Sequence, residues 1–186
     1  MKTICSLFFC ALAGCMTVPP IMDAQEGVPR ARLRVITDAS WVNGYPGSDC
    51  HGKNVPNYGR IVLGDRKPMT EIKAYNGRDL GMPDPIRIHA VPPSNDTKGQ
   101  NARGRHFAEI YIEADKPFTL KYTGMTLRSM RCNVALRFNP QENKDYEARM
   151  WLDWTQRKCF SVLTVRTDEG FWMPMPAQFA NRCRGR

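Results

Sequence analysis

The sequence predicts an all-β protein, an antiparallel sandwich with a short helix near its C-terminus. Three features carry this expectation. Apolar and polar residues alternate with a period of two in a succession of short runs, the pattern of strands with one face in a core. Clusters of Gly, Pro, Asn and Asp interrupt those runs at short intervals, as turns between strands do. Four cysteines, Cys50, Cys132, Cys159 and Cys183, are spread along the chain without the paired spacing of zinc ribbons, so disulfide staples are expected and a metal site is not.

In chain order, residues 1–14 read as a processing signal rather than as part of the fold. Met1-Lys2 supplies a positive start, and Ile4 to Ala13 is an almost unbroken apolar run of ten residues. A membrane-spanning helix needs roughly 20 such residues, whereas the apolar region of an export signal needs about 7–15. Residues 15–29 hold Pro19, Pro20 and Pro29 without apolar periodicity and read as a flexible tether that lets the domain stand off a surface. The domain is expected over residues 30–186.

Its first strand is Arg32-Leu33-Arg34-Val35-Ile36, alternating charged and apolar residues. Arg60 to Leu63 and Glu71 to Tyr75 follow, each bounded by Gly or Pro, and Ile86 to Val91 alternates again before Pro92-Pro93. Ser94 to Gly104 is polar and contains glycine, a mobile loop by composition. His106 to Ala114 sets Phe, Glu, Tyr and Glu against Ala, Ile, Ile and Ala; Phe118, Leu120 and Tyr122 share the next face. Glu109 and Glu113 are thereby expected on the solvent side. Cys132 to Phe138, Tyr146 to Leu152 and Cys159 to Val165 alternate most regularly and are expected to form a meander, with Asn139 to Lys144 as its first turn. Such patterning suits a sandwich, immunoglobulin-like or similar. Only Pro176 to Cys183 reads as helical.

The apolar run at the N-terminus ends in Leu12-Ala13-Gly14-Cys15, which resembles the lipobox of bacterial lipoproteins. The resemblance implies cleavage before Cys15, a thioether-linked diacylglycerol on its thiol and about three acyl chains in all, enough for stable anchoring. Met16, where some lipoproteins carry Asp as an inner-membrane retention mark, implies sorting to the outer membrane with the domain facing the periplasm. Cys5 and Cys10 would be discarded with the signal. The layout Cys132…Phe138-Asn139-Pro140…Asp145-Tyr146…Cys159 is similar to small uncharacterised envelope lipoproteins of proteobacteria, and implies a sandwich-like fold without an activity.

Cleavage would leave 172 of the 186 residues, the size of one domain. Lys and Arg number 27 against 18 Asp and Glu, so a surplus of about +8 would remain on the mature chain and favour anionic partners. The remaining thiols, in an oxidising compartment, read as two disulfides. Three pairings are open. The return of the chain after Asp168-Glu169-Gly170 favours Cys159–Cys183, which leaves Cys50–Cys132.

No arrangement of residues points to turnover. His51, His89 and His106 are scattered, and no nucleophile elbow, metalloprotease helix or phosphate loop occurs. No catalytic residue, cofactor or metal is therefore expected. Two features suggest binding. Arg30, Arg32 and Arg34 project to one side of the first strand and could meet phosphates. Trp151 and Trp154 flank Asp153, and Trp172 lies in Phe171-Trp172-Met173-Pro174-Met175-Pro176; tryptophans beside polar groups build peptide and sugar sites. The expected role is a non-enzymatic docking module for a periplasmic protein partner. The alternatives are a binder of anionic envelope polymer or glycan such as lipopolysaccharide or peptidoglycan, and a periplasmic immunity-type inhibitor of a toxin. Nucleic acid is not an expected partner.

Overall fold

Among the described residues ten strands form two five-stranded sheets that face each other across one core. The computed structural model describes residues 18–37, 41–63, 75, 77–83, 106–125, 131–153 and 156–184. Most of the strands expected at Glu71–Tyr75 and Ile86–Val91, the loop at Ser94–Gly104 and the signal segment lie outside the described residues.

The strands are β1 (Arg30–Thr37), β2 (Trp41–Pro46), β3 (Gly59–Leu63), β4 (His106–Glu113), β5 (Phe118–Met125), β6 (Arg131–Phe138), β7 (Asp145–Asp153), β8 (Lys158–Arg166), β9 (Trp172–Pro174) and β10 (Gln178–Phe179). One sheet runs β4-β1-β7-β8-β9 and the other β10-β6-β5-β2-β3. Because β3 faces β4 and β6 faces β8, the sandwich has a β3–β4 flank and a β9–β10 flank. Leu33, Val35, Ile110, Ala148 and Met150 of the first sheet meet Val42, Ile61, Phe118, Leu120, Tyr122 and Phe138 of the second. These are the apolar halves of the alternating runs, so period two and core agree.

The architecture departs from the sequence reading in several places. The sandwich is not wholly antiparallel: β1 pairs with β7 in parallel, Arg32 opposite Asp145 through Thr37 opposite Met150. The expected meander is split, because residues 139–144 carry the chain from β6 in one sheet to β7 in the other. Asn143 there has φ 59°, a left-handed turn that asparagine tolerates better than most residues. No helix occurs among the described residues. Over Pro176 to Cys183 the backbone is engaged by neighbouring segments instead: Ala180 N–H donates to Ala135 O (2.9 Å) and Cys183 N–H to His51 O (3.0 Å).

The disulfides are Cys50–Cys183 and Cys132–Cys159, not the pairing that the turn at 168–170 favours. After that turn β9 stays on the first sheet, but residues 175–177 cross over and β10 joins β6. Cys183 thus ends beside the β2–β3 loop that carries Cys50, and Cys132 on β6 faces Cys159 on β8. The loops closed span 133 and 27 residues, and each closure contributes about 3–5 kcal/mol in the chain-entropy account.

The segment expected to be a free tether is partly built into the fold. Arg60 N–H donates to Pro19 O (2.7 Å) and Ile21 N–H to Arg60 O (3.0 Å), then Ala24 N–H donates to Tyr111 O (3.0 Å). Residues 19–24 therefore cross from the edge of β3 to the edge of β4 and close that flank. Ile21 is buried in the core, where full burial of such a side chain is worth about 1.5–3 kcal/mol. The crossing needs two glycines. A Cβ at Gly59 would overlap the Ile21 backbone, and one at Gly44 would overlap the Ile21 and Phe118 side chains.

Two outcomes follow. Peptide mapping without reductant should recover Cys50 linked to Cys183 and Cys132 linked to Cys159; any other pairing contradicts the topology at the β9–β10 flank. Gly59→Ala should cost about 1–3 kcal/mol in urea denaturation, the usual effect of overpacking, and should open residues 19–24 to proteolysis. Unchanged stability and protection would mean that the crossing contributes nothing.

Candidate functional site

The outer face of the β4-β1-β7 sheet is built in cross-strand rows. Arg34 stands opposite Glu109 on one side and Glu147 on the other, and Arg32 stands between Tyr111 and Asp145. The period of two that puts Leu33 and Val35 into the core puts all three arginines of β1 on this face. They do not form an exposed stripe, however.

Arg34 is 1% exposed and Glu109 0%. Arg34 Nε donates to Glu109 Oε1 (2.7 Å), and Nη1 donates to Glu147 Oε2 (3.3 Å) and Pro83 O (3.1 Å). Arg149 Nε pairs with the other oxygen of Glu147. Residues 80–83 lie over the row, with Leu80 and Met82 N–H donating to Glu109 Oε2 and Met82 O accepting from Arg34. Two cations and two carboxylates thus neutralise each other and hold a covering segment by its backbone. Arg34 is unavailable to phosphates, and Glu109 is not on the solvent side; of that pair only Glu113, bonded to Lys116 at 2.6 Å, stays near the surface.

Arg32 makes a two-pronged ion pair with Asp145, Nε to Oδ1 at 2.7 Å and Nη2 to Oδ2 at 2.9 Å. The hydrogen bond to Asp145 raises its pKa further above the ordinary arginine value. The Arg30 guanidinium sits 4.2 Å over the Tyr111 ring. With Asn143, Lys144 and Asp145 these residues line an open polar cleft of about 320 Å³. Lys144 is bonded to Asp168, so Arg30 is the cation in this cleft without a carboxylate partner among the described residues.

The tryptophans are not gathered into one platform. Trp151 is half-buried and stacks on Phe160 of the neighbouring strand β8, ring centroids 5.3 Å apart. Trp172 is buried opposite Arg166 and presents no contact surface. Trp154 lies outside the described residues, as does Cys15.

Exposed apolar side chains collect elsewhere. Phe171, Met173 and Phe179 are 58%, 52% and 77% exposed and all lie on the β9–β10 flank. Between them Met175 and Ala177 turn inward against the core. Beside Phe179, on the outer face of the second sheet, is a cleft of about 210 Å³ lined by His51, Lys121, Asn133, Val134, Ala135, Phe179 and Ala180. Burial, and then the positive charges of Lys121 and Arg182, hold the His51 pKa below the usual histidine value. His106 begins β4 at the other flank and His89 is outside the described residues. Among the described residues no three His, Cys, Asp or Glu come together as a metal site. No protein-family model, curated protein or solved structure matches this chain.

The exposed Met173 and Phe179 sit on β9 and β10, strands of three and two residues and too short to show a period, and Phe171 lies just before β9. The one signal was the apolar run from Phe171 to Pro176 after a turn. The ion-pair row can be tested directly. Arg34→Leu leaves two carboxylates buried without their shared cation and should cost about 3–5 kcal/mol, whereas Arg30→Leu should stay within about 0.5 kcal/mol. Equal urea midpoints for the two variants would remove the special status of Arg34.

Proposed function

We propose that this is a membrane-anchored, non-enzymatic docking module of the bacterial cell envelope, tethered through a lipidated Cys15 and engaging a periplasmic protein partner. The observation that carries the reading is the placement of the two ends of the chain. The N-terminal crossing at Pro19 to Ala24 lies on the β3–β4 flank, and the exposed Phe171, Met173 and Phe179 lie on the opposite one. Four intervening strand spacings of about 4.8 Å separate the flanks by roughly 20 Å. From Cys15 to Pro19 the chain reaches at most about 14 Å. An anchor there would hold the β3–β4 flank, with exposed Met22, against the bilayer and turn the apolar flank toward the periplasm. The two disulfides suit an oxidising compartment. The disulfide between the sheets and the parallel β1–β7 pair support an immunoglobulin-like reading of the sandwich.

A second reading, binding of an anionic envelope polymer, is favoured by the cleft of Arg30, Arg32 and Lys144. In-cell crosslinking followed by purification of the lipidated protein distinguishes the two. A protein partner should be recovered with the native chain and with Met22→Asp, and lost at least tenfold with Phe179→Asp or Met173→Asp. Recovery of polymer fragments alone, released by high salt and by Arg30→Gln, would replace the docking reading. Cys15→Ala should move the protein out of the membrane fraction; retention there would sink the anchor.

A further inference from the structure

We infer that the cleft beside Phe179 receives an acidic peptide segment of the docking partner, a carboxylate seated against Lys121 and His51 with an apolar neighbour on Phe179. This deepens the docking reading and rests on it. The charge around the cleft is one-sided. Lys121 on β5 and Arg182 on the C-terminal stretch have no carboxylate partner among the described residues, and no carboxylate lines the cleft. The nearest acidic residue in sequence, Asp49 on the same loop as His51, is directed at Arg137. Positive charges held together without counter-charge raise the free energy of the empty site, and an incoming carboxylate relieves it.

Apart from Asn133 the rest of the lining is apolar: Val134, Ala135, Phe179 and Ala180. The Phe179 ring is 77% exposed, and in water it gains by being covered. Volume discriminates between ligand classes. At about 210 Å³ the cleft falls below the roughly 300–1,000 Å³ that encloses a small-molecule ligand. It suits one or two side chains of a larger partner whose remaining contacts fall outside it. The backbone around the site is fixed from several directions: His51 N–H donates to Asn181 O (3.1 Å), Cys183 N–H donates to His51 O (3.0 Å), and Cys50–Cys183 ties the two segments covalently. Little conformational freedom remains to be lost on binding.

His51 adds a pH dependence with a definite sign. It faces Lys121 from β5, Arg182 from the C-terminal stretch and the Tyr45 ring from β2, 6.2 Å away. Burial and the two cations keep it neutral to lower pH than an ordinary histidine. A carboxylate in the cleft offsets the cations and favours the imidazolium. Binding therefore takes up a proton and tightens as pH falls through the range in which the bound imidazole titrates.

The test uses the full lipidated protein in detergent micelles and two fluorescein-labelled peptides, one alternating Glu with Leu and one with Gln for every Glu. Fluorescence anisotropy should show the acidic peptide binding at least tenfold more tightly than the Gln peptide at pH 7.5, and at least threefold more tightly again at pH 5.5. Lys121→Gln should reduce the preference to within twofold, Arg182→Gln should reduce it by a smaller factor, and His51→Gln should abolish the gain at pH 5.5. Equal binding of both peptides, lost together in Phe179→Ser, leaves the docking flank standing and overturns the acidic partner. Tight binding of the acidic peptide that survives Lys121→Gln places the charge recognition elsewhere and also overturns it. Binding of neither peptide at millimolar concentration overturns the inference and the docking flank together.

Discussion

The guanidinium of Arg34 sits at the centre of a three-strand row, and much of the first sheet is organised around it. Its neighbours in register are Glu109 on β4 and Glu147 on β7. A slip of one residue in either pairing would turn a carboxylate toward Leu33 and Val35 and strand the arginine. Desolvating an unpaired charge costs several kcal/mol, so the row penalises the wrong registers more than it stabilises the right one. Once β4, β1 and β7 are aligned, the inward residues coincide with those of the facing sheet. Residues 80–83 then find their backbone partners on Glu109 and Arg34. The row thus specifies a pairing that hydrophobic alternation alone leaves open.

How far the chain could be read in advance depends on what each strand faces. β1 and β4 through β8 have one face in the core and the other turned outward, so alternation exposed them. β2 was invisible for a local reason. Its Asn43-Gly44 pair is a hairpin-turn signal, yet here the glycine lies inside a strand, where Ile21 and Phe118 fill the space a side chain would need. The crossing at residues 19–24 was hidden by its prolines, which mark a tether by composition but also suit an extended edge segment. Alternation assigned Glu109 to the outer face correctly. That this face is covered at Glu109 depends on residues 80–83, distant in sequence, and no periodicity reports such a cover.

The same limit applies to the candidate site. Arg30, Arg32 and Arg34 were identifiable as a set, and they do share a face, but three different neighbours give them three different states: stacked on Tyr111, paired with Asp145, and buried. The cleft at Phe179 draws on four separate segments, the β2–β3 loop, β5, β6 and the C-terminal stretch. Its chemistry arises from Lys121 and Arg182 having no carboxylate partner among the described residues, a property of assembled surfaces rather than of any stretch of sequence.

The Cys50–Cys183 bond has a mechanical meaning for a chain held at one end and loaded at the other. It bridges a sequence separation of 133, so tension entering upstream of Pro19 and leaving past Cys183 runs through Cys50 and never along β3 to β10. Only the segment before Cys50 can be paid out under load, and that begins with shearing the Pro19–Arg60 and Ile21–Arg60 hydrogen bonds. Stripping β1 and β2 would yield on the order of 100 Å of slack at about 3.4 Å per residue, and the chain would then be taut. The chain from Cys50 to Cys183, the apolar flank included, thereby carries none of the tension from a pull between its two ends.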